Sequence, residues 1–568
     1  MTTVPQTQKA RPDPLVEHLS RGERVWAGLS LTQRRGLLAE LARTAGEHAA
    51  EWVDAACRIK GLAVGSPAAG EEWTTGPYAL LTAVAALDDS LAALEAGRSP
   101  LDGLPYGHVP GDRIAIRVLP HDPFDRLLLN GFTVDVWCRP GVPVQQLRAG
   151  AGLGQLTPAR TGGVGVVLGA GNIASIAPLD TLYELFAHNR VVLLKLNPVM
   201  EQLLPVFTKV FAPFIDRDLV RIVSGDAELG AALIGHPGVA HVHITGSIAS
   251  HDAIVFGAGE QGRARKARGE ALLDKPITSE LGGVSPTIVV PGRWSKQDLR
   301  FQAEHVVTQK LHNNGYNCVA SQVLVLSSDW PQREAFLAEL RDAYDRVADR
   351  PAYYPGSDRR IDAALAEHPD AQRLGDGSRL LIDGLEDGDP ALETEYFSPV
   401  LAIKWLPAKG QQFLDAAVGF ANDRLAGTLG ANIVVHPRTA RRLGAGMTRA
   451  IADLRYGTVA VNAWTAVGYL MPRATWGAFP GHTLQDVQSG IGVVHNALLL
   501  DHTERSVVRG PFRPFPRSVL AGEYTVSPKP PWFVTNRTGG VTGARLTEFA
   551  ARPSRRGLLA VLGSALRG

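Results

Sequence analysis

Cysteine is scarce. The 568 residues include three, Cys57, Cys138 and Cys318, too few and too widely spaced for a disulfide scaffold or a CxxC metal site. That usage fits a reducing compartment, and a cytoplasmic location is the expectation. A surplus of either charge is also missing: 58 basic and 56 acidic side chains leave a formal net charge of +2. Binding along a phosphate backbone calls for a basic excess or stripe, so no nucleic-acid partner is expected. The densest basic run, Arg263 to Arg268, is local and reads as a solvated face. No stretch approaches the roughly 18 consecutive apolar residues of a membrane span, and Met1 to Arg11 lacks the apolar segment of a secretion signal.

What is present is an ordinary globular composition, 45% hydrophobic and 20% charged, over a length that suits two or three domains. Residues 1–15 read as loose. From Val25 to Ile59 apolar side chains recur at three- and four-residue spacing (Leu37, Leu38, Leu41, Ala45, Trp52, Ala56), which predicts helix, and a second helix is expected over Tyr78–Leu94. Alternation at Ile114, Ile116 and Val118, then at Val134 and Val136, predicts a partly exposed ribbon. Between 161 and 275 short apolar runs (Val164–Leu168, Val191–Leu194, Leu219–Val223, Val239–Ile244) alternate with helical segments at Ile176–Phe186 and Val206–Phe214. That alternation predicts a parallel sheet covered on both faces. A second α/β region runs to about 480, with strands at Thr287–Val290 and Val323–Leu326. Its expected helices are 330–349 and Phe413–Ala421. Residues 503–511 read as a strand, and the Pro-, Arg- and Gly-rich remainder as an irregular tail; no internal repeat is found.

Several segments carry candidate chemistry. Gly169-Ala170-Gly171-Asn172-Ile173-Ala174 follows a strand and opens a helix, a loose GxGxxA that suits a phosphate or a plain turn. Thr245-Gly246-Ser247 also follows a strand; it offers an anion site or simply a helix N-cap at Ser247. Glu280 stands before a Gly pair, where partial burial would raise its pKa and suit it as a base. Cys318 follows Asn313-Asn314-Gly315-Tyr316-Asn317 at the edge of a polar loop, a better place for a reactive thiolate than the helix face of Cys57 or the Arg-Pro neighbourhood of Cys138. His241 and His243 share a strand face but lack a third ligand, so no metal site is expected.

Taken together, residues 20–512 resemble the aldehyde dehydrogenase superfamily. Glu280-Leu281-Gly282-Gly283-Val284-Ser285-Pro286 looks like the family's glutamate signature and Gly315-Tyr316-Asn317-Cys318-Val319-Ala320 like its cysteine signature, 38 residues apart from Glu280 to Cys318. Thr245-Gly246-Ser247 resembles its strand-to-helix turn, Glu395-Tyr396-Phe397-Ser398-Pro399-Val400 its ExFGPV, and Asn172 falls at its conserved-position asparagine. The resemblance implies an α/β fold with a Rossmann-type coenzyme domain (1–120 and 161–276), an α/β catalytic domain (277–490) and a β oligomerisation arm (121–160 and 503–512). Residues 513–568 remain as a C-terminal extension without a counterpart, and a homodimer or homotetramer is implied.

The implied chemistry is NAD- or NADP-dependent oxidation of an aldehyde. Cys318 would add to the carbonyl, Asn172 and the Cys318 N–H would stabilise the oxyanion, and Glu280 would activate water against the thioester. The resemblance assigns Lys195 to the adenosine ribose, Gly169, Gly246 and Ser247 to the phosphate turns, and Glu395 and Phe397 to the nicotinamide side. The sequence departs from the family at Gly171 (a Trp in the family), Pro198 (an acidic residue), Tyr316 (a Gln) and Trp476–Pro480 (a PFGGxK segment). Pro198 leaves NADP open by charge. Two other readings stand: a CoA-acylating dehydrogenase or acyl-CoA reductase of the same superfamily, and a non-catalytic structural or binding protein of the same fold.

Overall fold

The computed structural model describes residues 11–158 and 161–568. Residues 1–10, expected to be loose, and 159–160, at the end of the expected arm, lie outside the described residues. Two sheets organise the chain. The smaller has six strands in the order Gly490–Ile491, Ile277–Leu281, Val239–Gly246, Val164–Leu168, Val191–Lys195, Val220–Val223. All pairings are parallel except that of the short Gly490–Ile491 edge. Val191–Lys195 is buried at every position, as a run of branched side chains in a doubly covered parallel sheet must be. The chain builds outward from Val164–Leu168 through Val191 and Val220, then returns to its other side with Val239 and Ile277. The carboxyl end of the central strand is therefore a topological switch point, the place where open α/β sheets bind ligands.

The larger sheet has eleven strands. Its parallel middle runs Thr503–Arg509, Thr458–Val461, Gly430–Val434, Ser285–Val289, Ser321–Ser327, Val400–Leu406, Arg379–Asp383. Antiparallel strands close both ends, Gln372–Leu374 on one side and the Thr133–Cys138, Arg113–Leu119, Tyr106–Val109 meander on the other. The strand Ile277–Leu281 pairs in the small sheet and Ser285–Val289 in the large one, so residues 282–284 carry the chain between them.

Three expectations are corrected. The single helix over Val25–Ile59 is three helices, Pro12–Gly28, Leu31–Glu47 and Ala49–Lys60, so residues 12–15 are helical rather than loose. A capping box at Ser30, whose hydroxyl takes the Gln33 N–H while Gln33 Oε1 takes the Ser30 N–H, starts the second; Gly61 in the left-handed region stops the third. The ribbon is not half-exposed: Arg113–Leu119 and Thr133–Cys138 are largely buried, because Thr503–Arg509 ties them to the large sheet and their other face packs on Leu101, Leu147 and Val467. Only Tyr106–Val109 is mostly exposed. The tail is ordered, with helices Gly539–Ala551 and Arg555–Ala565.

The helical run Ala69–Glu95 is long and apolar enough to cross a bilayer by composition, yet 56% of its apolar window is buried inside the protein. It is a core helix, and its start is the dock for Gly539–Ala551. A β-carbon at Gly70 would lie 2.4 Å from the Gly539 carbonyl, and one at Gly543 2.9 Å from Trp73 Cβ. The two helices meet backbone to backbone. Gly70→Ala is expected to force them apart at a cost of about 1–3 kcal/mol. The readout is faster proteolytic cleavage around 539–551 and a lower denaturation midpoint; unchanged cleavage would show that the contact is looser than the distances state.

Candidate active site

The segment that links the two sheets begins with Glu280. Thr245 and Glu280 are register partners on adjacent parallel strands. Glu280 is 3% exposed, and its Oε1 accepts a hydrogen bond of 3.3 Å from Trp476 Nε1. The two glycines that follow are compulsory. A β-carbon at Gly282 would lie 2.0 Å from Glu395 Oε1, and one at Gly283 2.9 Å from Gly427 Cα. This close passage lets the Gly283 N–H reach the Glu395 carboxyl.

Cys318 is delivered by an unusual turn. The helix Lys296–Leu311 ends, and Asn313, Asn314 and Gly315 follow with φ of 53°, 54° and 81°. Asparagine tolerates the left-handed region, and glycine is required at the third position because a β-carbon there would meet the Ser398 carbonyl at 2.8 Å. The turn is buttressed from both sides. Glu71 accepts from Asn313 N at 2.9 Å and is held by Arg350 at 2.7 and 2.8 Å. Tyr316, completely buried, donates to Ser357 Oγ at 2.8 Å and packs its ring against Tyr353, Tyr354 and Phe397. The departure from the family's glutamine is thus an aromatic anchor. Asn172 Nδ2 donates to the Tyr316 carbonyl at 3.0 Å, which uses one of its two hydrogens and fixes the amide against the Cys318 loop.

Cys318 and Glu280 are brought within electrostatic range of one another, each acting on the other's ionisation. Burial pushes the Glu280 carboxyl up to about 7, helped by the negative charge of Asp180 and opposed by Cys318, Trp476 and His243. Burial likewise raises the Cys318 thiol well above its ordinary value, with Glu280 and Glu395 adding to it, while the Cys318 N–H directed at its own sulfur works the other way. Glu395 is raised to about 8 by burial, against the Gly283 N–H, and its Oε1 is a buried oxygen without a hydrogen-bond partner among the described residues. Lys310, whose Nζ donates to the Ser398 carbonyl at 3.0 Å, is lowered by burial to about 7. The arrangement brings a thiol, two buried carboxyls, an amide donor and a buried amine near one another with little to stabilise net charge.

Asp180 went unnoticed in the sequence. It lies on Ile176–His188 and receives the Thr245 hydroxyl at 2.9 Å, with His243 and His495 each at 3.4 Å. Burial opposes its ionisation, and the two histidines overcome this and keep its pKa low. His241 faces Glu184 at 3.2 Å. Both strand histidines are therefore ion-pair partners of one helix face, and no metal-binding group of three is found among the described residues. Glu71 and Arg350 were also missed; neither has a local sequence signal, since each acts through a distant contact, whereas Trp476 stood out as the start of a segment that departs from the family.

The remaining candidates form a second group. Gly169, Lys195 and Gly246 stand at the carboxyl ends of three neighbouring strands, around the switch point. Gly169 packs so tightly that a β-carbon would meet Ala177 Cβ at 2.9 Å. Ser247 caps Ile248–Phe256 by accepting from Ser250 N at 3.2 Å, and both Gly246 and Ser247 are exposed. Lys195 is lowered by burial, with Glu201 and Asp226 acting in the opposite direction. Asn197 accepts from Val199 N and starts a 3₁₀ turn over Pro198–Leu203, which is how Glu201 comes within electrostatic range of Lys195 in place of an acid at 198. Phe397, with φ of 42°, stands on the Cys318 side against Tyr354. A dinucleotide suits this layout: exposed helix-start amides and a lysine at one end, and the partnerless Glu395 oxygen beside the Gly282–Gly283 cradle at the other.

Residues 155–352 match the model of the aldehyde dehydrogenase family. A coniferyl aldehyde dehydrogenase from a Pseudomonas species is 26% identical over 286 residues, 46% of this chain and 54% of that protein. An aminoacetaldehyde dehydrogenase from Pseudomonas aeruginosa is 27% identical over 264 residues, 43% of this chain and 47% of that protein. The chain thus spans about half the length of the curated relatives it matches. Among solved structures, an aldehyde dehydrogenase mutant of Pseudomonas syringae complexed with NAD+ and octanal shares the fold at TM-score 0.58 and 18% identity, covering 88% of this chain and 89% of that one. The NADP-dependent glyceraldehyde-3-phosphate dehydrogenase of Bacillus halodurans, complexed with NADP, does so at 0.56 and 17%, covering 87% and 90%. Residues 155–352 are thus similar to the aldehyde dehydrogenase family, and the chain shares the fold of solved aldehyde dehydrogenases.

The buttress under the cysteine loop is open to a direct test. Arg350→Met leaves Glu71 buried without its cation, and the expected loss is about 3–5 kcal/mol of stability at neutral pH. Burial alone would raise Glu71, but Arg350, His312 and the Asn313 N–H hold it at about 2. A carboxylate depressed in this way stabilises the fold above its unfolded pKa and loses that contribution as pH falls toward 2. Denaturant titrations at pH 7 and pH 3 are therefore expected to show a larger gap between wild type and variant at pH 7; an equal gap would contradict the assignment.

Proposed function

We propose that this chain oxidises an aldehyde to a carboxylic acid with NAD or NADP, using Cys318 as nucleophile and Glu280 as base. The observation that carries the reading is the buried Glu280 carboxyl, held by Trp476 Nε1 and pushed up to about 7 by burial, in electrostatic range of the Cys318 thiol. Cys318 is half-buried and its ionisation is disfavoured, and Glu280 is the neighbouring carboxyl that can take its proton. The thiolate then adds to the carbonyl. The second hydrogen of Asn172 Nδ2 and the Cys318 N–H are the donors placed to receive the oxyanion.

Bound NAD(P) supplies the hydride acceptor. On the protein side, Glu395 and the Gly282–Gly283 cradle would hold its nicotinamide end, with Phe397 behind, and Lys195, Gly169, Gly246 and Ser247 would hold its phosphates and adenosine ribose. Once Glu280 has given up the thiol proton to solvent, its carboxylate draws a proton from a water molecule and directs that water at the Cys318 thioester. Trp476 orients the carboxyl for this through its indole N–H, and exclusion of bulk water strengthens each of these interactions. The relatives named for coniferyl aldehyde and aminoacetaldehyde, and the complexes with NAD+ and NADP, are consistent with this assignment.

The decisive assay is reduction of NAD or NADP with short, long and aromatic aldehydes, with and without CoA. Turnover without CoA supports hydrolysis; turnover only with CoA would transfer the reading to an acylating enzyme, and none with any aldehyde would leave a non-catalytic member of the fold. Because a base works only when deprotonated, the hydrolytic rate is expected to rise with pH through about 7, the Glu280 value. Glu280→Gln should lower steady-state turnover by about 10²–10⁴-fold and abolish that limb, and it should slow the single-turnover burst of reduced coenzyme as well, because the same carboxyl takes the thiol proton. Trp476→Phe removes a hydrogen bond that favours the carboxylate, so its limb should move to higher pH. An unshifted limb in both variants would remove Glu280 from the mechanism.

A further inference from the structure

The C-terminal segment reaches the Cys318 chamber through one side chain. The chamber's wall is largely apolar and aromatic, with Ile173, Ile176, Trp464, Tyr469 and Trp476 beside a few uncharged polar groups such as Thr74 and Thr75, and Trp532 lines one side of it. Its volume is about 40 Å³. On the other side of Trp532 lies an open cleft of about 730 Å³, between the loop after Lys60, the end of Arg333–Arg346 and residues 529–537. Trp532 is the one residue that lines both spaces among the described residues.

Its position is held from several directions. Pro530 and Pro531 stiffen the approach. Phe533 stacks on Phe301 at 5.3 Å and on His305 at 5.5 Å. Val534 N donates to Thr308 Oγ1 at 3.3 Å, and Lys529 pairs with Glu304 at 3.2 Å. These contacts bind the segment to Lys296–Leu311, the helix that leads into the cysteine loop. The Trp532 ring itself meets Phe132 edge-on at 5.9 Å. The indole is therefore a fixed wall referenced to the same helix as Cys318, and its half-buried state reflects the cleft beyond it.

We propose that Trp532 determines substrate specificity by closing the outer end of an apolar acyl pocket, so that the C-terminal segment selects aldehydes with compact apolar substituents. This rests on the aldehyde-oxidising reading of Cys318. The chamber wall offers no charged side chain to the R group, which disfavours phosphorylated or amino-substituted aldehydes. The fixed indole limits how far a chain extends before it must enter the cleft. The segment is then a part of the substrate site and not an appendage.

The test compares wild type, Trp532→Ala and Trp532→Phe on propanal, benzaldehyde, octanal and decanal. Trp532→Ala is expected to raise the decanal-to-propanal ratio of kcat/KM by about tenfold or more, mainly through KM, because two spaces become one. Trp532→Phe should stay near wild type, and circular dichroism should show all three folded; if the alanine variant does not fold, Trp532→Leu takes its place. A ratio within about twofold of wild type, in an enzyme that oxidises aldehydes, overturns the proposal. Should wild type oxidise none of them, the proposed function fails, and calorimetry with Cys318→Ala protein decides the pocket separately using unreactive amides. Benzamide binding with decanamide binding gained only on Trp532→Ala would sustain the wall, and no Trp532-dependent difference would dismiss it.

Discussion

Glu280 has to remain buried against Cys318, and much of the surrounding structure exists to make that tolerable. A carboxyl group removed from water strongly disfavours its charge. Here the penalty is moderated by the Trp476 N–H and the thiol, and increased by Asp180 beneath the same strand. The balance leaves the group able to take or lose a proton near neutrality, which neither a solvated glutamate nor a fully isolated one would do. Asp180 keeps its own charge because His243, His495 and Thr245 surround it, so the electrostatic pressure on Glu280 comes from a stabilised source.

A pair of groups held this closely requires a stiff frame. Three successive left-handed residues, Asn313 to Gly315, place Cys318, and such a turn persists only when its surroundings over-determine it. The surroundings come from separate parts of the chain. Glu71 belongs to the N-terminal helices, Arg350 and Tyr353 to the loop after Arg333–Arg346, Ser398 to the segment after Glu395, and Asn172 to the turn after the central strand of the small sheet. The cysteine loop is thus the point at which both sheets and the N-terminal helices meet. The C-terminal residues brace the same helix from outside, through Arg513 and Arg517 on Asp298 and through Phe533 on Phe301.

The fold was most legible where local pattern and tertiary environment coincide. Val164–Leu168 was located to the residue and its parallel neighbours nearly so, because strands buried on both faces must be apolar throughout. Legibility failed where environment overrode pattern. The alternation in Arg113–Leu119 suggested one exposed face, but Arg117 pairs with Asp135 and the strand is enclosed. The Pro-, Gly- and Arg-rich tail lacked an obvious helical stripe, yet its glycines are what allow Gly539–Ala551 to lie backbone to backbone on Gly70. The Ser30-x-x-Gln33 capping box is legible in the sequence and marks the break before Leu31–Glu47, whereas the break before Ala49–Lys60 has no side-chain cap to announce it.

By itself the sequence determined the α/β class, the order of the glutamate and cysteine segments, and the residue types available for chemistry. These are local properties: hydrophobic period, glycine placement and short motifs survive in a linear reading. Tertiary structure alone decided the partners. Trp476 and Glu280 are 196 positions apart, and Asn172 and Tyr316 144. Nothing in either neighbourhood records such a meeting, because a hydrogen bond or a shared cavity wall depends on where two surfaces are packed, and packing is a property of the whole chain. The same holds for Trp532, whose place between chamber and cleft follows from how the last residues dock on the helix before Cys318.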